Sequence, residues 1–124
     1  MPGTTPQTSD VYFVDFQALG FSDPKAKPRR SAIVSSNPVS VGVIGRESKK
    51  PNMKFSGDHL YSPINPNHVF DLEGYWMSGH YKTLFKTTFA TKPQHFNYVA
   101  CLTEPERTDL QAFVADCRKN KKIL

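Results

Sequence analysis

Cysteine is scarce in this 124-residue chain: Cys101 and Cys117 are the only two. Their spacing fits no zinc pattern, and a disulfide scaffold needs more of them. Both read as reduced thiols of a core. Long apolar runs are absent as well. No stretch approaches the roughly 18 apolar residues that carry a helix across a bilayer. The opening MPGTTPQTSD has no apolar segment of the kind a secretory leader needs. The expected setting is the cytoplasm, with no membrane partner. Carboxylates are few, with 11 Asp+Glu against 16 Lys+Arg and a net charge of +5. That excess favours an anionic partner such as nucleic acid and says nothing of fold. There is no internal repeat and no low-complexity segment.

Apolar residues make up 38% of the chain and aromatics 12%, enough to pack one core in one domain. Residues 1–10 read as a flexible lead-in and 11–124 as the domain. VYFVDF (Val11–Phe16), SAIVSS (Ser31–Ser36) and VSVGVI (Val39–Ile44) read as strands, rich in β-branched and aromatic residues. Asn37-Pro38 makes the last two a hairpin. From Gly45 to Asn67 regularity fails. HVFDL (His68–Leu72) reads as a short strand, EGYWMSG as a turn, YKTLFKTTFA (Tyr81–Ala90) as one long strand and NYVACL (Asn97–Leu102) as another. Thr103-Glu104-Pro105-Glu106 has the form of a capping box. Leu110, Phe113, Val114 and Cys117 then follow at helical spacing, so a helix from about 104 closes the chain. The expected fold is mainly β with a C-terminal helix: a small antiparallel barrel, or a strongly bent sheet, with the helix against it.

The basic residues gather in two places. Lys25, Lys27, Arg29 and Arg30 precede the second strand, and Arg46, Lys49, Lys50 and Lys54 follow the third. A hairpin of those strands brings both clusters to one end. Arginines offer bidentate phosphate contacts there, with lysines around them. Tyr75, Trp76 and Tyr81, with Phe55 and Tyr61, are aromatics of the kind that stack on unpaired bases. Lys82 and Lys86 add positive charge on the late strand. Of the histidines, His59 and His68 have no further ligand spaced to join them, so no metal or cofactor site is read.

The stretch SDVYFVDFQALGFSDPKAKPRRSAIVSS resembles the opening of the MazF/PemK toxin family, and YKTLFKTTFATK with NYVACLTEPERTDLQAFV resembles its ending. The resemblance implies an SH3-like, CcdB-like barrel, commonly a homodimer. It also implies metal-independent cleavage of single-stranded RNA and growth inhibition, silenced by a partner antitoxin. Arg30 falls on the family's catalytic arginine, with Ser31 in place of the usual proline. Gly45 stands where the family carries Ser or Thr, with Ser48 nearby. His80-Tyr81-Lys82-Thr83 matches the place of an acidic residue and has no carboxylate.

RNA cleavage through the 2′-hydroxyl needs a base, a cation for the crowded phosphate, and an acid for the leaving 5′-oxygen. Arg30 suits the cation. His80 suits proton transfer, because imidazole titrates near neutral pH, and Glu47 and Ser48 come next. Asp15, at the end of the first strand, reads first as a solvated strand end and second as a carboxylate that holds an arginine. Two alternatives stand beside the endoribonuclease: a non-catalytic member of the fold that binds nucleic acid or a protein target, and an unrelated basic β-rich binding module.

Overall fold

The computed structural model describes residues 6–20, 28–48, 59–66, 70 and 72–120. Its strands are β1 (Asp10–Val14), β2 (Arg29–Ser36), β3 (Ser40–Glu47), β4 (His59–Ser62), β5 (Gly74–Met77), β6 (Lys82–Phe85) and β7 (Phe96–Cys101). Two helices, α1 (Lys86–Thr91) and α2 (Glu106–Lys119), flank β7. A single 3-10 turn, Ser78–His80, joins β5 to β6. The expectation of a mainly β chain ending in a helix is borne out.

All pairings are antiparallel, in the order β4-β5-β3-β2-β1-β7. Strand β3 is the hub. One edge pairs with β2, and the other is shared: Ser40–Val43 pair with β6, and Arg46 and Glu47 with β5. Asn37 makes the β2–β3 turn, its Oδ1 accepting from the N–H groups of Val39 and Ser40 at 2.9 and 2.8 Å. Register slips between Ile33 and Ser35, and between Val11 and Tyr12, bend the sheet. It is bent but not closed into a barrel, which corrects that part of the expectation. With β3's second edge divided between β5 and β6, the strands fan apart.

Because side chains alternate across a strand, the sheet sorts its apolar residues onto two faces. Tyr12, Val14, Ile33, Val41 and Val43 pack on one face with Phe89 of α1 and Phe96. Val11, Ala32, Ile44 and Trp76 pack on the other with Leu110, Val114 and Cys117 of α2. Covering on both sides explains why every residue of β3 but Glu47 is buried.

Several boundaries depart from the sequence reading. The stretch 81–90 is not one strand: it turns into α1 after Phe85. Ser40 is the last β3 residue that β6 can pair with, and Lys86 N–H closes the ladder on Val39 O at 2.9 Å. With no partner strand left, the backbone satisfies itself as a helix. That turns Phe89 into a stack on Phe96, with ring centroids 3.9 Å apart. EGYWMSG is not a turn; it holds β5, whose Trp76 and Met77 are core residues. β4 lies inside the span read as irregular. Of HVFDL, Phe70 makes one bridge with Asn65, and 67–69 and 71 lie outside the described residues. The lead-in is partly structural: Ser9 N–H bonds Ile33 O, and Ser9 O accepts from Leu102 N–H.

The capping box is also corrected. Helix α2 starts at Glu106, with Pro105 at the N-cap and no side-chain cap bond. Glu104 instead accepts from the N–H and hydroxyl of Thr108 at 2.9 and 2.7 Å, which holds its carboxyl below the usual range. Cys117 is a buried free thiol as expected, whereas Cys101 is exposed on β7. Asp15 holds no arginine; its Oδ1 caps the turn at Ala18.

Candidate nucleic-acid interface

The hairpin brings the start of β2 and the end of β3 together. Their register pairs Ser31 with Gly45. Carried one and two residues further, it sets Arg30 beside Arg46 and Arg29 beside Glu47. All four are therefore strand residues, not loop residues as the sequence suggested. A pocket of about 170 Å3 opens here, lined by Phe13, Pro28, Arg29, Arg30, Arg46, Glu47 and Ser48. Lys25, Lys27, Lys49, Lys50 and Lys54, and with them Phe55 and His68, lie outside the described residues.

Alternation puts the two arginines of the doublet on opposite faces. Arg29 shares its face with Gly45 and Glu47. It is buried, and its Nη1 donates to Glu47 Oε2 at 3.2 Å. The same nitrogen lies 3.0 Å from His80 Nδ1. A guanidinium has only donors, so Nδ1 is the acceptor and the ring proton sits on Nε2. The Arg29 stem runs directly over Gly45: a Cβ there would lie 2.6 Å from Arg29 Cδ and 3.2 Å from His80 Cβ. Where the resembled family carries a hydroxyl residue, this chain has room only for glycine beneath Arg29. Glu47 also accepts from Ser48 N–H through Oε1.

Arg30 faces the other way. It pairs with Phe13 of β1 and is partly exposed. Its guanidinium carbon lies 5.7 Å from the Phe13 ring centroid. Among the described residues no hydrogen bond or ion pair engages it.

Arg46 is a strut, although the sequence placed it among the RNA contacts. Nε donates to Ser62 Oγ at 2.8 Å, and Nη2 to the carbonyls of Ser62, Pro63 and Leu72 at 3.0, 3.3 and 2.8 Å. The group stacks on Phe70 at 3.9 Å. Burial pushes its pKa down; Glu106 counters that, and the like charge of Arg30 adds to it. Ser62 passes the network on by donating to Glu106 Oε2, which also accepts from Trp76 Nε1 at 2.7 Å. Trp76 is therefore fully buried and not placed to stack on a base. Glu106 is the first residue of α2, but its carboxylate serves the polar core rather than a capping box.

The other expected contacts scatter. Tyr81 sits against Arg118 of α2, whose Nη2 donates to its hydroxyl at 3.3 Å. Burial raises the Tyr81 pKa, but hydrogen bonds from Ser35, Arg118 and Thr83 outweigh it and hold the phenol below its ordinary range. Lys82 pairs with Val43, three residues before Arg46 on β3, and does not line the pocket. Lys86 binds Val39 at the far end of β3, roughly 20 Å along the strand from Arg46.

No family model and no curated protein matches the chain. Among the described residues no three of His, Cys, Asp and Glu gather as a metal site. No helix among them is long and apolar enough to cross a membrane.

Proposed function

We propose that the Arg30 pocket binds the phosphodiester backbone of single-stranded RNA, and that the chain is a toxin-class endoribonuclease cutting through 2′-hydroxyl attack without a cofactor. The observation that carries this reading is the Arg30 guanidinium. It is partly exposed and, among the described residues, free of hydrogen bonds and ion pairs, in a pocket that also holds Glu47 and Ser48. Arg29 lies behind it, holding Glu47 by an ion pair. In the reaction the 2′-oxygen bonds to phosphorus as its proton passes to Glu47. The bond from phosphorus to the 5′-oxygen breaks, and that oxygen takes a proton from solvent water. The products are a 2′,3′-cyclic phosphate and a 5′-hydroxyl. Arg30 contacts the oxygens that gain charge on the way, where a fixed donor contributes about 10²–10³ in rate. A homodimer, and an antitoxin covering the groove, belong to the same proposal.

The test is cleavage of single-stranded RNA in EDTA by wild type and by Arg30→Ala. Arg30→Ala is expected to abolish cutting, keep the fold, and lower the salt slope of binding by about 1. Intact RNA after long incubation with folded wild type refutes the nuclease.

A second reading, a non-catalytic binder of the CcdB-like growth-inhibitor type, is favoured by one arrangement. Glu47 lines the Arg30 pocket although it shares the face of Arg29, whereas His80 does not line it and lies against Arg29 beside Gly45, so the imidazole is not beside the phosphate cation. That reading expects RNA or protein binding that depends on Arg30, with no cutting by wild type.

A further inference from the structure

Across the end of the sheet the directly paired residues form one rung. Arg46 lies beside Arg30 by the β2–β3 register, Arg30 pairs with Phe13, and Phe13 pairs with Asn97 of β7. Opposed residues on antiparallel strands share a face, and adjacent strands lie about 4.8 Å apart. From the interior outward the rung therefore offers a buried strut, a cation without a hydrogen bond or ion pair among the described residues, an aromatic ring and an amide. The neighbouring rung on this face, Val11, Ala32 and Ile44, is wholly buried against α2. This one is open: Phe13 is 36% exposed and Asn97 is exposed. An aromatic ring thus lies on an open strand face with the Arg30 guanidinium 5.7 Å from its centroid, and that guanidinium makes no hydrogen bond or ion pair among the described residues.

We infer that this rung is a seat for one unpaired nucleotide, with its phosphate at Arg30, its base stacked on Phe13 and the edge of that base read by Asn97. The inference rests on the phosphate-binding reading above and adds the ligand class to it. The chemistry of the rung matches the order of groups in a nucleotide. Phosphate needs a planar multiple donor. A base plane needs an aromatic face, and only an unstacked base can supply its own. A base edge needs a group that both donates and accepts, which an asparagine amide does. A duplex hides its base planes and cannot use Phe13. The same geometry explains why Trp76, the aromatic that the sequence favours for stacking, is replaced in that role by Phe13: Trp76 pairs with Arg46 under the β4 strand, whereas Phe13 lies on the strand next to the open edge.

The probe is a 2′-O-methyl RNA octamer carrying a single 2-aminopurine, which cannot be cut by 2′-hydroxyl attack. Affinity and fluorescence quenching are measured for wild type, Phe13→Leu, Phe13→Trp, Asn97→Ala and Arg30→Gln, with far-ultraviolet circular dichroism confirming each fold. Phe13→Leu keeps an apolar side chain of similar size and is expected to weaken binding about 5- to 100-fold and abolish quenching. Phe13→Trp restores both. Asn97→Ala is expected to leave quenching intact and level the affinities of octamers that differ only in the stacked base. If Phe13→Leu binds and quenches as wild type while Arg30→Gln loses binding, the nucleotide seat is wrong and the phosphate site stands. If Arg30→Gln also binds as wild type, the phosphate site itself is wrong. An unchanged base preference in Asn97→Ala removes the edge-reading role. Equal affinity for a blunt duplex of the same sequence overturns the single-strand requirement.

Discussion

Arg46→Ala separates an arginine that holds the fold from one that meets a ligand. The wild-type side chain donates to Ser62 Oγ and to the carbonyls of Ser62, Pro63 and Leu72. It also covers the Phe70 ring. Truncation leaves four acceptors short of a donor in a part of the molecule where Ser62, Phe70 and Trp76 are fully buried. A hydrogen bond to a charged group contributes about 1.5–3 kcal/mol, but four bonds from one group do not add independently. The cation also acts through space on Glu106, which accepts from Ser62 and Trp76, and each buried acceptor left without its donor costs about 1–3 kcal/mol. The expected loss is about 3–5 kcal/mol, a large share of the roughly 5–15 kcal/mol that keeps a domain folded. Equilibrium urea unfolding, followed by the fluorescence of Trp76, measures it directly. The double variant Arg46→Met with Glu106→Gln removes both charges and is expected to be more stable than the sum of the two single losses predicts. A loss below about 1 kcal/mol for Arg46→Ala, with an unchanged m-value, refutes the strut and returns Arg46 to the surface charges available for RNA.

Gly45→Thr is expected to cost about 1–3 kcal/mol, because its Cβ meets Arg29 and His80; a melting temperature equal to wild type would mean Arg29 does not lie over Gly45. Arg30→Ala, by contrast, is expected to leave stability within about 0.5 kcal/mol of wild type, since among the described residues its guanidinium makes no hydrogen bond or ion pair and only a distant contact with the Phe13 ring. Thr108→Ala takes a donor from Glu104, so the Glu104 carboxyl is expected to titrate closer to its ordinary value, read by carbonyl NMR. Because that carboxyl is depressed in the folded state, its contribution is present above the unfolded value and fades as pH falls through the folded one. The variant therefore loses stability relative to wild type at neutral pH, and the gap closes in acid.

Much of the fold is readable from local pattern. The alternation of SAIVSS and VSVGVI, the Asn37 turn between them, and the apolar stripe of α2 each follow from residues close in sequence. The arginine cluster at one end of the hairpin was legible for the same reason: a two-strand register is settled by a short turn. What failed did so where partners are distant. Nothing local says that β6 stops at Phe85, because the stop is set by where β3 begins. Nothing local says that Tyr75 and Trp76 form a strand, because their partners are Arg46 and Glu47 on one side and Leu60 and Tyr61 on the other. Glu106 looked like a helix cap because the sequence does not show Ser62 and Trp76 waiting above it.

The sequence alone determined the charge of the molecule, its β-rich character, its closing helix and the meeting of Arg29 and Arg30 with Arg46 and Glu47. Those depend on composition, on side-chain periodicity and on one turn. The tertiary structure decided which arginine does what. Pleat alternation turns Arg29 inward over Gly45 toward Glu47 and His80. The end of β4, Pro63 after it and Leu72 before β5 close over Arg46. Only Arg30, set between a strut and Phe13, keeps its donors open to solvent. Three guanidiniums of the same chemistry thus take three roles, because hydrogen-bonding capacity is consumed by whichever carbonyls and carboxylates the fold brings within reach, and that depends on strands far apart in the chain.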